Sequence, residues 1–416
     1  MPQIKEIFAT QIFNSKGNPT VKTTVILDDG TRASSSIPSG VAEGPHVALE
    51  LRDHDQQKYH GLGMQKAIDN VNNVIAKSIV GMDSLAQAAV DRAMIEMDGT
   101  QNKEKLGANA ILSVSQAIMK ASATSLKMST ASYIRQFVPS ASAPKMPVPI
   151  FNMIEGGKHA GNKLNFQGFL AVPATSKSYS EGLDVGVRVY QALADEMKER
   201  GMNPLVADEA AYSPEVGTNK AALTFLKNAI ERSGLSFSLD VFMGIEIAGS
   251  SFYGNKDYNL VDRQAPYSTG DLIGFYQELL SEFSLIYIED PLADADVEGW
   301  KKLHQAIGDK TLIAGDDIIT TNPYMIETAT QSNIINGVVI KPNQIGTVTE
   351  AIAVVEIARF KNLKVIVSGR SGETEDTFIA DFAVGVGADY VKFGAPAHER
   401  MVKYNRLLTL DAEFRK

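Results

Sequence analysis

Lys341 closes the run Gly337-Val338-Val339-Ile340, and its type and position invite a chemical reading. Consecutive β-branched residues describe a strand buried on both faces, because parallel strands covered by helices are apolar without alternation. An ammonium group at the end of such a strand is aimed at a site or at a partner charge, and a lysine reaching solvent is the plain alternative. Other apolar runs also end on polar residues, at Glu289, Asp316, Ser368 and Lys392. From Glu289 through Lys341 to Lys392 the intervals are 27, 25, 27 and 24 residues. An earlier strand-like run, 241–246, ends on Glu246.

Glu246, Glu289 and Asp316 thus stand on three neighbouring strand ends. Three oxygen ligands on rigid strands, with room for water and substrate, suit a hard cation such as Mg²⁺. Taken singly, each acid reads as a helix N-cap or loop charge, a role open also to Asp290 and Asp317. Taken together, metal binding is the better reading. Lys341 and Lys392 close two strands on the other side. A lysine beside a divalent cation and a second lysine is disfavoured as ammonium, which lowers its pKa toward the general-base range. Such a base removes a proton next to a carboxylate, whose doubly charged enolate the metal stabilises. The competing reading pairs the two lysines with those same acids.

A beat of about 25 residues is one strand, one helix and two short loops, repeated without sequence identity. Ala351, Val354, Val355 and Ala358 form the apolar stripe of one linking helix. Convergence of the polar strand ends favours a closed (β/α)8-type barrel, whose catalytic groups gather on one face. An open doubly wound sheet would carry a Gly-rich phosphate turn, and no G-x-G-x-x-G is present. Residues 4–13, 20–27 and 32–37 read as an antiparallel meander, and helices are expected near 64–80, 84–97 and 107–125. The fold class is therefore α/β: an N-terminal α+β cap over residues 1–125, a linker over 126–146 and the barrel over 147–416.

The 416 residues carry a net charge of −9, which argues against a nucleic-acid binder. The absence of cysteine excludes disulfides and thiolate metal sites, leaving carboxylates and histidines. The first residues lack a signal-peptide layout and no apolar run reaches membrane-span length, so a cytoplasmic location is expected.

The motifs resemble the enolase (phosphopyruvate hydratase) family from about residue 7 to residue 408. The resemblance is carried by Gly17-Asn18-Pro19-Thr20-Val21, Pro38-Ser39-Gly40, Ala48-Leu49-Glu50-Leu51-Arg52-Asp53, Leu106-Gly107-Ala108-Asn109-Ala110-Ile111 and Gly372-Glu373-Thr374-Glu375-Asp376. It implies a barrel with atypical first strands, and a homodimer or an octamer of dimers. It also implies Mg²⁺ as cofactor and 2-phosphoglycerate, a small phosphorylated acid, as substrate. Lys341 would remove the C2 proton, and Lys392 would hold the substrate carboxylate with the metal. Glu246, Glu289 and Asp316 would ligate the ion. Arg370 and Ser371 would grip the phosphate, and Ser39 would lie in a loop closing on a second Mg²⁺. His159 comes from another closing loop, Gln167 belongs to the substrate pocket, and Glu209 serves the acid side that expels the hydroxyl.

The departures cluster on that acid side. Gly168 stands where the family has a glutamate paired with the acid matching Glu209, and Gly369 replaces a histidine. Ala210 and Ala211 replace glycines, Glu246 replaces an aspartate, and Glu43 brings a charge into the loop after Ser39. Proton abstraction is expected to be kept and leaving-group chemistry impaired, while glycine at both positions is expected to widen the pocket. Three readings follow: a slow enolase, a paralogue that enolises a related acid without dehydrating it, and a non-enzymatic binding protein. For the last, also at the cell surface, Lys416 offers a carboxyl-terminal lysine to a plasminogen-type lysine-binding partner.

Overall fold

The computed structural model describes residues 1–40, 46–140, 145–161 and 163–415, with His159 described in its backbone alone. Glu43 and Lys416 therefore lie outside the described residues, as does the His159 side chain. The meander is present as β1 (Ile4–Phe13), β2 (Pro19–Leu27) and β3 (Arg32–Ser36), paired antiparallel. The first expected helix is interrupted: Gln65–Asn70 and Ala76–Ile79 flank a π-helical turn at Val71–Ile75. Ala108–Ser125 is buried nearly all round, covered on both sides, and its buried serines therefore need partners. Its Ser113 bonds Thr23 of the sheet at 2.6 Å, while Ser115 accepts the Val348 amide from the barrel at 3.0 Å. The helix Thr130–Arg135 follows, with Ala131, Tyr133 and Ile134 buried.

The second unit is a closed eight-stranded barrel. Its strands are β4 (Val148–Glu155), β5 (Gly168–Pro173), β6 (Val241–Glu246), β9 (Leu285–Glu289), β10 (Leu312–Gly315), β11 (Gly337–Ile340), β12 (Lys364–Ser368) and β13 (Tyr390–Lys392). The short pair β7 (Tyr253–Gly254) and β8 (Asp257–Tyr258) lies outside it. The first strands are indeed atypical. β5 pairs antiparallel with both β4 and β6, so its first residue, Gly168, reaches the face where the other strands end.

The barrel interior is layered by chemistry. Ile150, Leu170, Val172, Tyr287, Ala314, Val339 and Ile366 form a buried apolar cluster inside it, and polar strand ends sit above them. Isoleucines and valines of the same strands that face outward join the larger core beneath the helices. The meander and its helices bury a separate core. Ion pairs seat this cap on the barrel: Lys103 to Glu350 at 2.9 Å and Lys120 to Asp376 at 3.0 Å. Ser39 pairs through its backbone with Gly372, at 2.9 and 3.0 Å, bringing the cap to the barrel mouth. Among the described residues no helix is long and apolar enough to cross a membrane.

Candidate active site

Register puts the carboxylates side by side. Glu246 aligns with Glu289 across β6 and β9, and Glu289 with Ala314 across β9 and β10, so Asp316 follows just beyond. Oxygens of Glu246, Glu289 and Asp316 lie within 4.8 Å of one another. Lys392, fully enclosed, donates to Glu246 at 2.6 Å and to both Glu289 oxygens at 2.7 and 2.8 Å. Lys341 pairs with Asp316 Oδ2, and the Tyr287 hydroxyl donates to Glu289. Asp290 is a loop cap, accepting the amides of Asp316 at 3.0 Å and Asp317 at 2.7 Å.

Burial and like charge set the ionisation of this cluster. Burial pushes Glu289 up to about 8, against the pull of Lys392. Burial opposes the charge of Asp316 as well, but Lys341 and Lys392 hold its carboxyl below the usual range. The expected lowering of lysine pKa does not apply to Lys392. Burial works in that direction, yet Glu246, Glu289 and Asp316 hold its ammonium well above its ordinary value. The pairing of lysines with acids is therefore real, and it makes Lys392 a fixed positive charge suited to holding an anion.

One buried acceptor is left over: Asp316 Oδ1 has no hydrogen-bond partner among the described residues. An all-oxygen donor set with a free buried acceptor fits a hard divalent cation. On the anion side, Arg370 is 7 % exposed and its Nη1 lacks a hydrogen-bond partner among the described residues. A Cβ added at Gly40 would overlap the Arg370 guanidinium, so a larger residue there would have to displace that group.

These groups border a cavity of about 560 Å³ lined by Glu209, Glu246, Asp316, Lys341, Arg370 and Lys392, together with Gln167 and Ser371. Glu289 sits beneath it, bonded to Lys392. Ser39 is held just outside, its hydroxyl accepting from Asn14 at 2.5 Å. The sequence reading missed several contributors. Lys16 of the cap pairs with Asp208 at 2.5 Å beside Glu209. Buried Arg400 clamps two site loops, donating to the carbonyls of Arg370 at 2.6 Å, Ser371 at 2.7 Å and Asp208 at 3.0 Å. Glu155 closes β4 as Glu289 closes β9, an acid ending an apolar run that could have been read by the same rule.

The pocket is tight at Gly168, whereas Gly369 lines the cavity. A Cβ at Gly168 would stand 3.2 Å from Asn152 Oδ1, 3.3 Å from Leu170 and 3.4 Å from Glu246 Cβ, so the site has closed around it. At Gly369 an added Cβ would meet Glu373 Oε1 at 3.0 Å. Ala210 adopts φ +62°, in the left-handed region. A side-chain Cβ there costs roughly 1–2 kcal/mol, so Ala210→Gly is expected to raise stability by about 1 kcal/mol, read as a higher urea midpoint with unchanged slope.

Comparison with protein-family models matches residues 4–134 to "Enolase, N-terminal domain" and residues 143–416 to "Enolase, C-terminal TIM barrel domain". With both domains matched in order, and with a closed barrel gathering acids and lysines at one mouth, the chain belongs to the enolase family.

Proposed function

We propose that this chain is a Mg²⁺-dependent hydro-lyase of glycolysis that removes water from 2-phosphoglycerate to form phosphoenolpyruvate, at a reduced rate. The observation that supports this reading is that Lys341, Lys392, Glu246, Asp316 and Arg370 border one cavity, with Glu289 clustered against Glu246 and Asp316. Lys341 Nζ takes the C2 proton. Lys392 pairs with the substrate carboxylate, which becomes doubly charged as the enolate forms. Arg370 and Ser371 hold the phosphate, Glu209 lies on the side of the leaving hydroxyl, and Gln167 borders the substrate. Ser39 and His159 belong to the loops that close over it. Glu246, Glu289 and Asp316 would hold the ion, and Mg²⁺ supplies positive charge that favours the enolate over its parent acid. A cytoplasmic location and a homodimer, or an octamer of dimers, belong to the same reading.

A second reading is favoured by the lack of side chains at Gly168 and Gly369, namely that the chain enolises its acid without expelling hydroxide. One sample decides between them. With Mg²⁺ titrated in, phosphoenolpyruvate formation and C2 hydrogen–deuterium exchange are expected to rise together, and chelation is expected to abolish both. Exchange without product would establish the second reading, and absence of both would end the two.

A further inference from the structure

Two consecutive β-branched residues in the loop after β10 hold a backbone that such residues rarely adopt. Thr320 has φ +44° and Thr321 φ +53°, both in the left-handed region. A branched Cβ crowds the backbone there, and the conformation lasts only where its surroundings impose it. Bonds on either side do so. The Asp316 carbonyl accepts the amides of Ile319 at 3.1 Å and Thr320 at 2.8 Å, and the Asn322 amide returns to the Ile319 carbonyl at 2.8 Å. Asn322 then caps the helix Pro323–Gln331, accepting the Tyr324 amide at 3.0 Å. Glycine or asparagine would make the same turn with less strain, so the hydroxyls are what the threonines add.

Thr321 is fully buried, and its hydroxyl accepts the Lys341 backbone amide at 2.9 Å while donating to Gln344 Oε1 at 2.7 Å. The ladder of β11 with β10 reaches only Val338, and that with β12 only Ile340. Lys341 lies beyond both, and its amide finds its partner in the turn instead. The Lys341 side chain pairs with Asp316, at the other end of the same loop. Backbone and side chain of Lys341 are thereby tied to one loop. Gln344 carries the tie on to the cap, its carbonyl accepting the Ala48 amide at 2.8 Å. Thr320 borders the cavity with Lys341, and its hydroxyl oxygen is shielded from solvent without a hydrogen-bond partner among the described residues.

We propose that Thr321 is a positioning residue for Lys341: the strained turn holds its hydroxyl on the Lys341 amide and so fixes where the lysine side chain starts relative to Asp316. The inference rests on the reading of Lys341 as the base that takes the C2 proton. The lysine stem is a flexible chain of four carbons, so the place of Nζ is only as definite as the backbone it starts from and the group it meets. To reach C2, Nζ must turn from Asp316, and the backbone anchor is what stays fixed. A misplacement of about 1 Å can cost on the order of 10²-fold in rate. Arg370, Ser371 and Lys392, which hold the substrate in the same reading, belong to β12, β13 and the loop between them. Loss of the anchor therefore slows proton removal and leaves substrate binding in place.

The test compares Thr321→Val, which keeps the branched Cβ and removes the hydroxyl, with Thr321→Ser, which keeps the hydroxyl. C2 hydrogen–deuterium exchange of 2-phosphoglycerate is measured with Mg²⁺ over a range of substrate concentrations, and folding is checked by urea unfolding. Thr321→Val is expected to exchange on the order of 10–10²-fold more slowly at saturation, with an unchanged half-saturation point, and Thr321→Ser is expected to recover most of the rate. Exchange by Thr321→Val at the parental rate, or by Thr321→Ser no faster than by Thr321→Val, would overturn the proposal and leave Lys341 as the base. A raised half-saturation point at an unchanged maximal rate would also overturn it, because that is a loss of binding. Absence of exchange in the parent would overturn both readings. Should Thr321→Val not fold, Thr321→Gly decides, since it removes the hydroxyl and relieves the left-handed strain together. Slow exchange by that variant supports the proposal, and parental exchange overturns it.

Discussion

Lys341→Met is expected to stop exchange of the C2 proton of 2-phosphoglycerate with solvent and to lower product formation in step, each by on the order of 10²–10⁴-fold. Methionine keeps the unbranched stem that fills the strand end while removing the amine. Exchange and product must fall together, because proton removal precedes loss of the hydroxyl in the proposed sequence. Asp316 loses its direct partner in this variant but keeps the fields of Lys392 and Arg370, which act on it in the parent. Folding is therefore expected to survive, as checked by circular dichroism. A folded variant that exchanges C2 hydrogen at the parental rate would remove Lys341 from the role of base.

Lys392→Met is expected to be the most destabilising single change at the site, costing about 3–5 kcal/mol in the presence of chelator. Lys392 is 4 % exposed and bonds two carboxylates, of which Glu289 is 1 % exposed. Removing the ammonium leaves the buried Glu289 and the partly exposed Glu246 side by side without its charge. Because Mg²⁺ would bring positive charge to the same oxygens, adding it is expected to restore part of the loss by binding to the folded state alone. Urea unfolding with chelator and with Mg²⁺ reads both quantities. A loss below about 1 kcal/mol, the worth of an exposed pair, would show that the ammonium does not neutralise the cluster.

The strand ends were legible because burial on both faces writes itself into composition. A parallel strand under helices is a run of Val, Ile and Ala, so a charged residue closing it is conspicuous. Glu246, Glu289 and Lys392 are the last residues of their strands, and Asp316 and Lys341 follow the last residue of theirs. The meander was legible from its alternation and turn, with β1 bounded at Ile4–Phe13 as expected. The π-helical turn at Val71–Ile75 was not, because an inserted residue barely disturbs helical periodicity.

Glu155 shows where that legibility ends. Its run, Val148–Glu155, has the same form as the others, but it precedes the regular beat of strand and helix. What surrounds it is set by its pairing with Gly168 and its contact with the Glu209 amide, and neither partner is near in sequence.

By itself the sequence determined the family, the barrel, the cap and the set of acids and bases at the strand ends, because these depend on local burial pattern and on motifs. Only the tertiary structure decided which charges touch. It joined Lys392 to Glu246 and Glu289, joined Lys341 to Asp316, closed the space at Gly168 and set Glu155 against the Glu209 amide. The physical reason is that ionisation and proton transfer depend on separations of a few ångströms between side chains on different strands. Those separations are fixed by register, by the antiparallel course of β5 and by closure of the barrel.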